Sequence, residues 1–207
     1  MLHTSQRKTL KHWATGLFAW LVALILFFPI LWMIMTSFKT ELQAISQPPL
    51  LLWEATFDNY ILIQERSDYL KYALNSLYTS LGGTLLALII AVPSAYAMAF
   101  FPGKYTKDIL LWMLSTKMLP AVGVLIPIYM ITQMGGLLDS IYPLILIFAL
   151  MNLPIIMWML FTYFKEIPKE ILEAARMDGA TTRDELRHVV MPLSWGGIAS
   201  TGLLSLI

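Results

Sequence analysis

Few side chains in this sequence could do chemistry, and their types and spacing narrow it to binding. His3, His12 and His188 are the only histidines, and none stands at H-E-x-x-H spacing. There is no cysteine, so thiolate nucleophiles, disulfides and thiolate metal sites are excluded. No G-x-S-x-G elbow and no G-x-x-x-x-G-K-[ST] phosphate loop occurs. An integral-membrane enzyme is disfavoured, and the chain cannot bind ATP through such a loop. What remains is a small set of polar groups set among apolar residues. Lys117 is an ammonium inside an apolar run, Asn152 stands two residues before Pro154, and Pro120 is followed by Gly123 and Pro127. A proline removes a backbone donor and frees a carbonyl. Such groups can donate to, or accept from, a polar solute.

The elements that must position these groups follow from the charge pattern. The chain has 207 residues, 58% hydrophobic, with 14 Lys+Arg and 13 Asp+Glu. Five stretches carry no charge: Trp13–Phe38, Tyr72–Gly103, Met118–Leu138, Ser140–Phe164 and Val189–Ile207. A hydrocarbon core about 30 Å thick needs roughly 20 apolar residues per helix. An ordinary soluble domain and an outer-membrane barrel are both excluded. The expected spans are 14–37, 72–100, 109–131, 141–163 and 191–207, all helical, because backbone exposed to lipid must satisfy its own hydrogen bonds. The first run is too long for a signal-peptide core and no A-x-A site follows, so it reads as an uncleaved span. The last run ends at Ile207 with no interfacial anchor, so the sequence reads as a truncated or incomplete chain.

Basic residues set the orientation. With the N-terminus inside, Arg7, Lys8, Lys11, Lys104, Lys107, Lys165, Lys169, Arg176, Arg183 and Arg187 fall inside, against Lys39, Arg66 and Lys71 outside. A net charge of +1 without a basic block gives no reason to expect nucleic acid as a partner. Gly83, Ala87, Ala91, Ala95 and Ala99 repeat every four residues, a stripe along which another helix backbone can approach, unless it reflects only an Ala-rich helix. Pro48 and Pro49 predict an irregular stretch in the first outside loop. Pro93, Pro120, Pro127, Pro143 and Pro154 interrupt spans, either lining a solute route or simply tolerated in lipid.

The inside segment 164–190 carries the densest pattern. Pro168 fits the first turn of a helix over Lys169–Asp178. Gly179 can take positive φ and stop it. Thr182 followed by Glu185 fits a capping box for a second helix. Ile171, Leu172 and Ala175 form the apolar face of the first helix, with Glu170, Glu173 and Arg176 on other faces. Such a helix–turn–helix suits either docking to another protein or packing on its own membrane domain.

Glu173-Ala174-Ala175, three residues, Gly179, nine residues and Val189-Val190-Met191-Pro192 resemble the EAA signature of ABC importer permeases, with Val189 and Met191 as mild apolar departures. Phe57-Asp58-Asn59-Tyr60, Asn75-Ser76-Leu77, Ala95-Tyr96-Ala97 and Phe101-Pro102-Gly103-Lys104 are similar to segments of the maltose-transporter branch. Leu114-Ser115-Thr116-Lys117-Met118-Leu119-Pro120 and Asn152-Leu153-Pro154 look most like mannitol and sorbitol permeases. The resemblance implies an all-α, polytopic transmembrane helical bundle of the type I ABC importer permease fold, with five of six expected spans present. It implies a cytoplasmic N-terminus (1–12), a first span (13–38), a periplasmic loop (39–71) and a permease core (72–207) containing a coupling loop (164–190), in the bacterial inner membrane. Its function would be ATP-driven import of a sugar or polyol. The implied partners are a second permease, two ATP-binding cassette ATPases, a periplasmic solute-binding protein and membrane lipid. No cofactor is implied.

In that light Glu173, Ala174, Ala175, Asp178, Gly179 and Pro192 are the expected ATPase-coupling residues. Glu173 would make polar contact and Gly179 the turn. Lys117, Asn152 and Pro120 are the expected solute-pathway residues. Lys117 would lie roughly 12 Å into the third helix at 1.5 Å per residue, where an unpartnered charge costs on the order of 3 kcal/mol. It could serve polyol hydroxyls or a partner's carboxylate or carbonyl, form a structural ion pair, or snorkel. Asn152 could instead bond the carbonyl that Pro154 frees. A secondary transporter or channel is the rival, weakened by the absence of an acidic residue within any span. A non-transporting scaffold is a further one.

Overall fold

The computed structural model of the chain describes residues 4–119 and 121–207. Every regular element among them is helical. The chain forms two compact units, residues 1–70 and 71–207.

In the first unit, α1 (Thr4–Ser37) contains the 26-residue apolar stretch His12–Ser37, within which an 18-residue window reaches a mean hydropathy of 2.6. Its flanks are bare of intrachain cover: Trp13, Trp20 and Leu24 are all exposed. Such a surface suits lipid. The end of α1 is fastened by the Phe57-Asp58-Asn59-Tyr60 segment. Asn59 Nδ2 donates to the carbonyls of Ser37 (2.9 Å) and Lys39 (2.6 Å). Phe57 and Tyr60 pack on Phe38 at 5.5 and 5.7 Å between ring centroids. Helix α2 (Glu41–Ala44) starts at a capping box of Thr40 and Gln43, and α3 (Asp58–Arg66) closes the unit. Between them, the stretch around Pro48 and Pro49 is irregular, as expected. Lys39, expected in an outside loop, is buried.

The second unit is built on α4 (Tyr69–Phe100), which carries the small-residue stripe. Gly83, Ala87, Ala91, Ala95 and Ala99 are all buried. A Cβ placed on Gly83 would stand 2.9 Å from Phe148 Cβ, so the glycine lets the backbone approach α7 (Ile141–Lys165). Between α4 and α7 lie α5 (Thr106–Thr116) and α6 (Ala121–Met134). The single helix expected over 109–131 is thus broken. Lys117, Met118 and Leu119 donate backward to Leu114, Ser115 and Thr116, which tightens the end of α5. Pro120, which by sequence cannot donate and restrains the residue before it, explains the stop; it lies outside the described residues.

After α7 come α8 (Lys169–Met177), α9 (Thr182–Asp184), a six-residue π turn (Glu185–Val190), α10 (Met191–Leu193) and α11 (Trp195–Leu206). The runs 182–193 and 195–206 meet at a 77° bend. Pro192 and the break at Ser194 fit that bend. The last expected span, 191–207, is therefore not one straight helix. By length and composition, α1, α4 and α7 can each cross a bilayer, and the bent pair raises the total to four. Five continuous spans are not present among the described residues. Ala87, Ala91, Ala95, Ile156, Leu160, Phe164, Leu172, Val190 and Ile198 form the core that ties α4, α7, α8 and α11 together.

Candidate functional site

Helix α8 begins after Pro168, which stands at the cap one residue before the helix rather than within its first turn. It ends as the sequence requires. Gly179 has φ of +86°, its N–H donates to the Arg176 carbonyl at 3.0 Å, and the Ala180 N–H donates to the Ala175 carbonyl at 3.0 Å. This is a Schellman closure, which favours glycine at the left-handed position.

The cap of the next helix sits one residue earlier than the expected Thr182–Glu185 pair. Thr181 Oγ1 accepts from the Asp184 N–H at 3.3 Å, and Asp184 Oδ2 accepts from the Thr181 N–H at 3.1 Å. The shift matters because it releases Glu185. That side chain turns inward and is only 2% exposed. Arg176 Nε and Nη2 donate to its two carboxylate oxygens at 2.6 and 3.0 Å. Tyr96 Oη, from α4, donates to Oε2 at 2.6 Å. The Arg176 guanidinium also lies 5.3 Å from the Phe101 ring centroid. Bonding to Glu185 pushes the Arg176 guanidinium above its ordinary, already high, range. His188 approaches Asp184 at 3.7 Å on the exposed side, a contact of little energetic weight.

On α8 itself, Leu172 is buried and Ala175 half-buried, while Ile171, expected beside them, is 40% exposed. Glu173, Ala174, Asp178 and Met177 face outward. The helix therefore both packs on its own unit and presents a free face. Of the expected coupling residues, Glu173, Ala174 and Asp178 share that exposure. Gly179 closes the helix, and Pro192 is exposed at the bend.

Of the expected pathway residues, Lys117 and Asn152 are not brought together, and Pro120 lies outside the described residues. Asn152 lines an open cleft of about 1210 Å³ with Asn75, Ser80, Tyr129, Thr132 and Asp139. Its Nδ2 donates to the Ser205 carbonyl at 3.2 Å, on α11, rather than to the carbonyl that Pro154 frees. Lys117 does not line the cleft. It caps α5, exposed at the break, not deep in a continuous helix.

The sequence pattern gave Glu185 only a capping role and Tyr96 no role of its own. The available signal was a carboxylate and an arginine flanking Gly179 beside apolar core positions. Tyr96 is 89 residues from Glu185, and no spacing rule joins them.

Residues 83–207 match the family described as the binding-protein-dependent transport system inner membrane component. The chain belongs to that family. It is 27% identical over 206 residues to a probable ABC transporter permease of Sinorhizobium fredii, covering 100% of this chain and 74% of that one. It is 31% identical over 185 residues to a diacetylchitobiose uptake system permease of Streptomyces coelicolor (88% and 66%). It is 32% identical over 183 residues to a sulfoquinovosyl glycerol transport system permease of Agrobacterium fabrum (87% and 64%). The chain thus spans 64–74% of the length of these relatives. A chain of a bacterial ABC transporter that imports the acidic polysaccharide alginate superposes with a TM-score of 0.75, at 24% identity, over 100% of this chain and 72% of that chain. That likeness supports the fold. In this family member, the EAA-like residues and the Arg176–Glu185 pair both fall within the matched region.

Proposed function

We propose that this chain is the membrane-spanning permease subunit of an ATP-driven importer for a sugar or sugar-like solute. The observation that carries the proposal is the 164–190 loop: a family match, a helix closed at Gly179, and an outward face bearing Glu173. In this reading α8 inserts into a cleft on an ATPase subunit. Glu173 makes the polar contact, with Ala174, Ala175 and Asp178 shaping the surface beside it. Pro192 sets the bend that follows. A second permease, two ATPase subunits and a periplasmic solute-binding protein complete the assembly. The N-terminus and the 164–190 loop lie on the cytoplasmic side, residues 39–71 on the periplasmic side, and residues 72–207 hold the permease core. ATP-driven closure of the ATPases draws the coupling helices together and reopens the route outward.

For the solute, the names of the relatives favour a glycoside such as diacetylchitobiose or sulfoquinovosyl glycerol, whereas Leu114–Pro120 and Asn152–Pro154 favour a polyol such as mannitol or sorbitol. The hydroxyl- and amide-bearing cleft around Asn152 suits either class. Lys117, exposed at the end of α5, serves polyol hydroxyls or a carboxylate or carbonyl of the partner permease in this reading.

The test is co-purification of the chain with its ATPase, before and after Glu173→Lys and Gly179→Asp, alongside uptake of labelled mannitol, sorbitol, trehalose and diacetylchitobiose. Loss of ATPase and of ATP-dependent uptake in both variants is expected. Unchanged retention and uptake would sink the coupling assignment, and uptake driven by an ion gradient without ATP would favour a secondary transporter.

A further inference from the structure

Helix α8 has nine residues, too few to hold its own orientation in water. Leu172 is its single buried residue, and one apolar contact fixes no direction. The directional contact is Arg176, whose planar fork meets both oxygens of Glu185. Glu185 does not stand on α8. It opens the π turn leading toward α11, and its Oε2 also accepts from Tyr96, which stands next to Ala95 on the packed stripe of α4. One carboxylate therefore joins three elements: α8, the 185–193 segment and the second half of α4. Phe101 adds a ring beneath the guanidinium, and Tyr96 packs on Phe101 at 5.9 Å and on Phe100 at 5.3 Å.

Stability alone is a poor explanation for this arrangement. A buried ion pair is often no more stabilising than an apolar replacement, and geometric definition is what such pairs best supply. π turns also concentrate at functional positions.

We propose that Glu185 is a positioning residue that locks α8 to α4 through Arg176 and Tyr96, so that a displacement of α8 moves the membrane helices instead of tilting α8 alone. This rests on the coupling-helix assignment above and names the link by which the coupling is passed on.

The test uses the full chain, reconstituted with its ATPase, partner permease and binding protein in proteoliposomes. Solute uptake per ATP hydrolysed is compared for wild type, Tyr96→Phe and Glu185→Gln. Tyr96→Phe removes one hydroxyl and keeps both ring contacts. ATPase should remain bound in both variants while uptake per ATP falls by roughly fivefold or more, the low end of ordinary coupling between sites. Unchanged uptake per ATP in Tyr96→Phe overturns the proposal, and so does loss of the ATPase from both variants. Loss from Glu185→Gln alone leaves Tyr96→Phe to decide. A second readout needs no partner. The chain has no cysteine, so Met177→Cys and Ile89→Cys can be spin-labelled as a pair. A narrow α8–α4 distance distribution that broadens with Tyr96→Phe supports the lock, and one that does not change overturns it. If the wild type fails to bind the ATPase, the functional assignment fails, and the spin-label result still decides the lock.

Discussion

Two charged side chains are fully buried among the described residues, one in each unit, and the chain shields them in opposite ways. Lys39 and Glu185 are each 2% exposed. Among the described residues Lys39 has no carboxylate partner. Its ammonium donates to the Leu50 carbonyl at 2.7 Å and lies 4.6 Å from the ring centroids of Trp32 and Trp53. Glu185 instead collects three directional donors, two of them from a full positive charge. The Lys39 shell is local, drawn from residues 32–53, and is made of soft π faces and one carbonyl. The Glu185 shell spans 89 residues of sequence and is rigid in geometry. A cation held by π faces tolerates small shifts of its neighbours. A carboxylate held by a fork and a hydroxyl does not. The first suits an anchor at the end of a helix, and the second suits a joint between moving parts.

The contrast can be broken most directly at Arg176. Arg176→Met leaves the buried Glu185 carboxylate without its counter-charge. This is expected to be the largest stability loss of the set, moderated by solvent because the Arg176 side chain is 44% exposed. Thermal unfolding in detergent checks it. The double variant Arg176→Met/Glu185→Leu should recover most of that loss, because removing both partners leaves no uncompensated charge. No recovery would mean that the pair does not act as a unit.

A smaller effect is expected at Gly179→Ala. A side chain at φ of +86° is strained, and a left-handed residue other than glycine costs about 1–2 kcal/mol. The same unfolding assay reads it, and Gly16→Ala, inside α1 and equally free of neighbours within 4 Å, should instead stabilise slightly because its backbone is helical. Tyr96→Phe should cost about 1.5 kcal/mol, the low end for a hydrogen bond to a charged group, so its expected effect on coupling is out of proportion to its effect on stability. The smallest change is expected for Lys39→Met, within about 1 kcal/mol, since lost cation–π attraction is offset by relief of desolvation. A loss at Lys39 as large as that at Arg176 would erase the distinction between the two sites.

Local chemistry was legible in the sequence to the extent that it was local. The α8 boundaries, the Gly179 closure and the buried stripe of Gly83, Ala87, Ala91, Ala95 and Ala99 follow from propensity, backbone sterics and a four-residue period. The cap at Thr181 was misplaced by one position because Thr181-Thr182 offers two hydroxyls and Asp184-Glu185 two carboxylates at equal spacing. Only packing chose between them, and the choice decided which carboxylate went inside. The spans expected at 109–131 and 191–207 are not single straight helices for a related reason. A charge-free run measures hydropathy, whereas Pro120 and Pro192 act on backbone hydrogen bonds that hydropathy does not register.

The sequence by itself determined that this is a helical membrane chain, where its charges concentrate, and that a closed helix with an EAA-like face lies between apolar segments. Those properties depend on residue type and short spacing. Tertiary structure decided that Asn152 bonds the α11 backbone and that Tyr96 meets Glu185. Those depend on which distant surfaces come into contact. The fold sets such contacts only after loop-closure entropy has been overcome by burial of the α4, α7 and α11 faces.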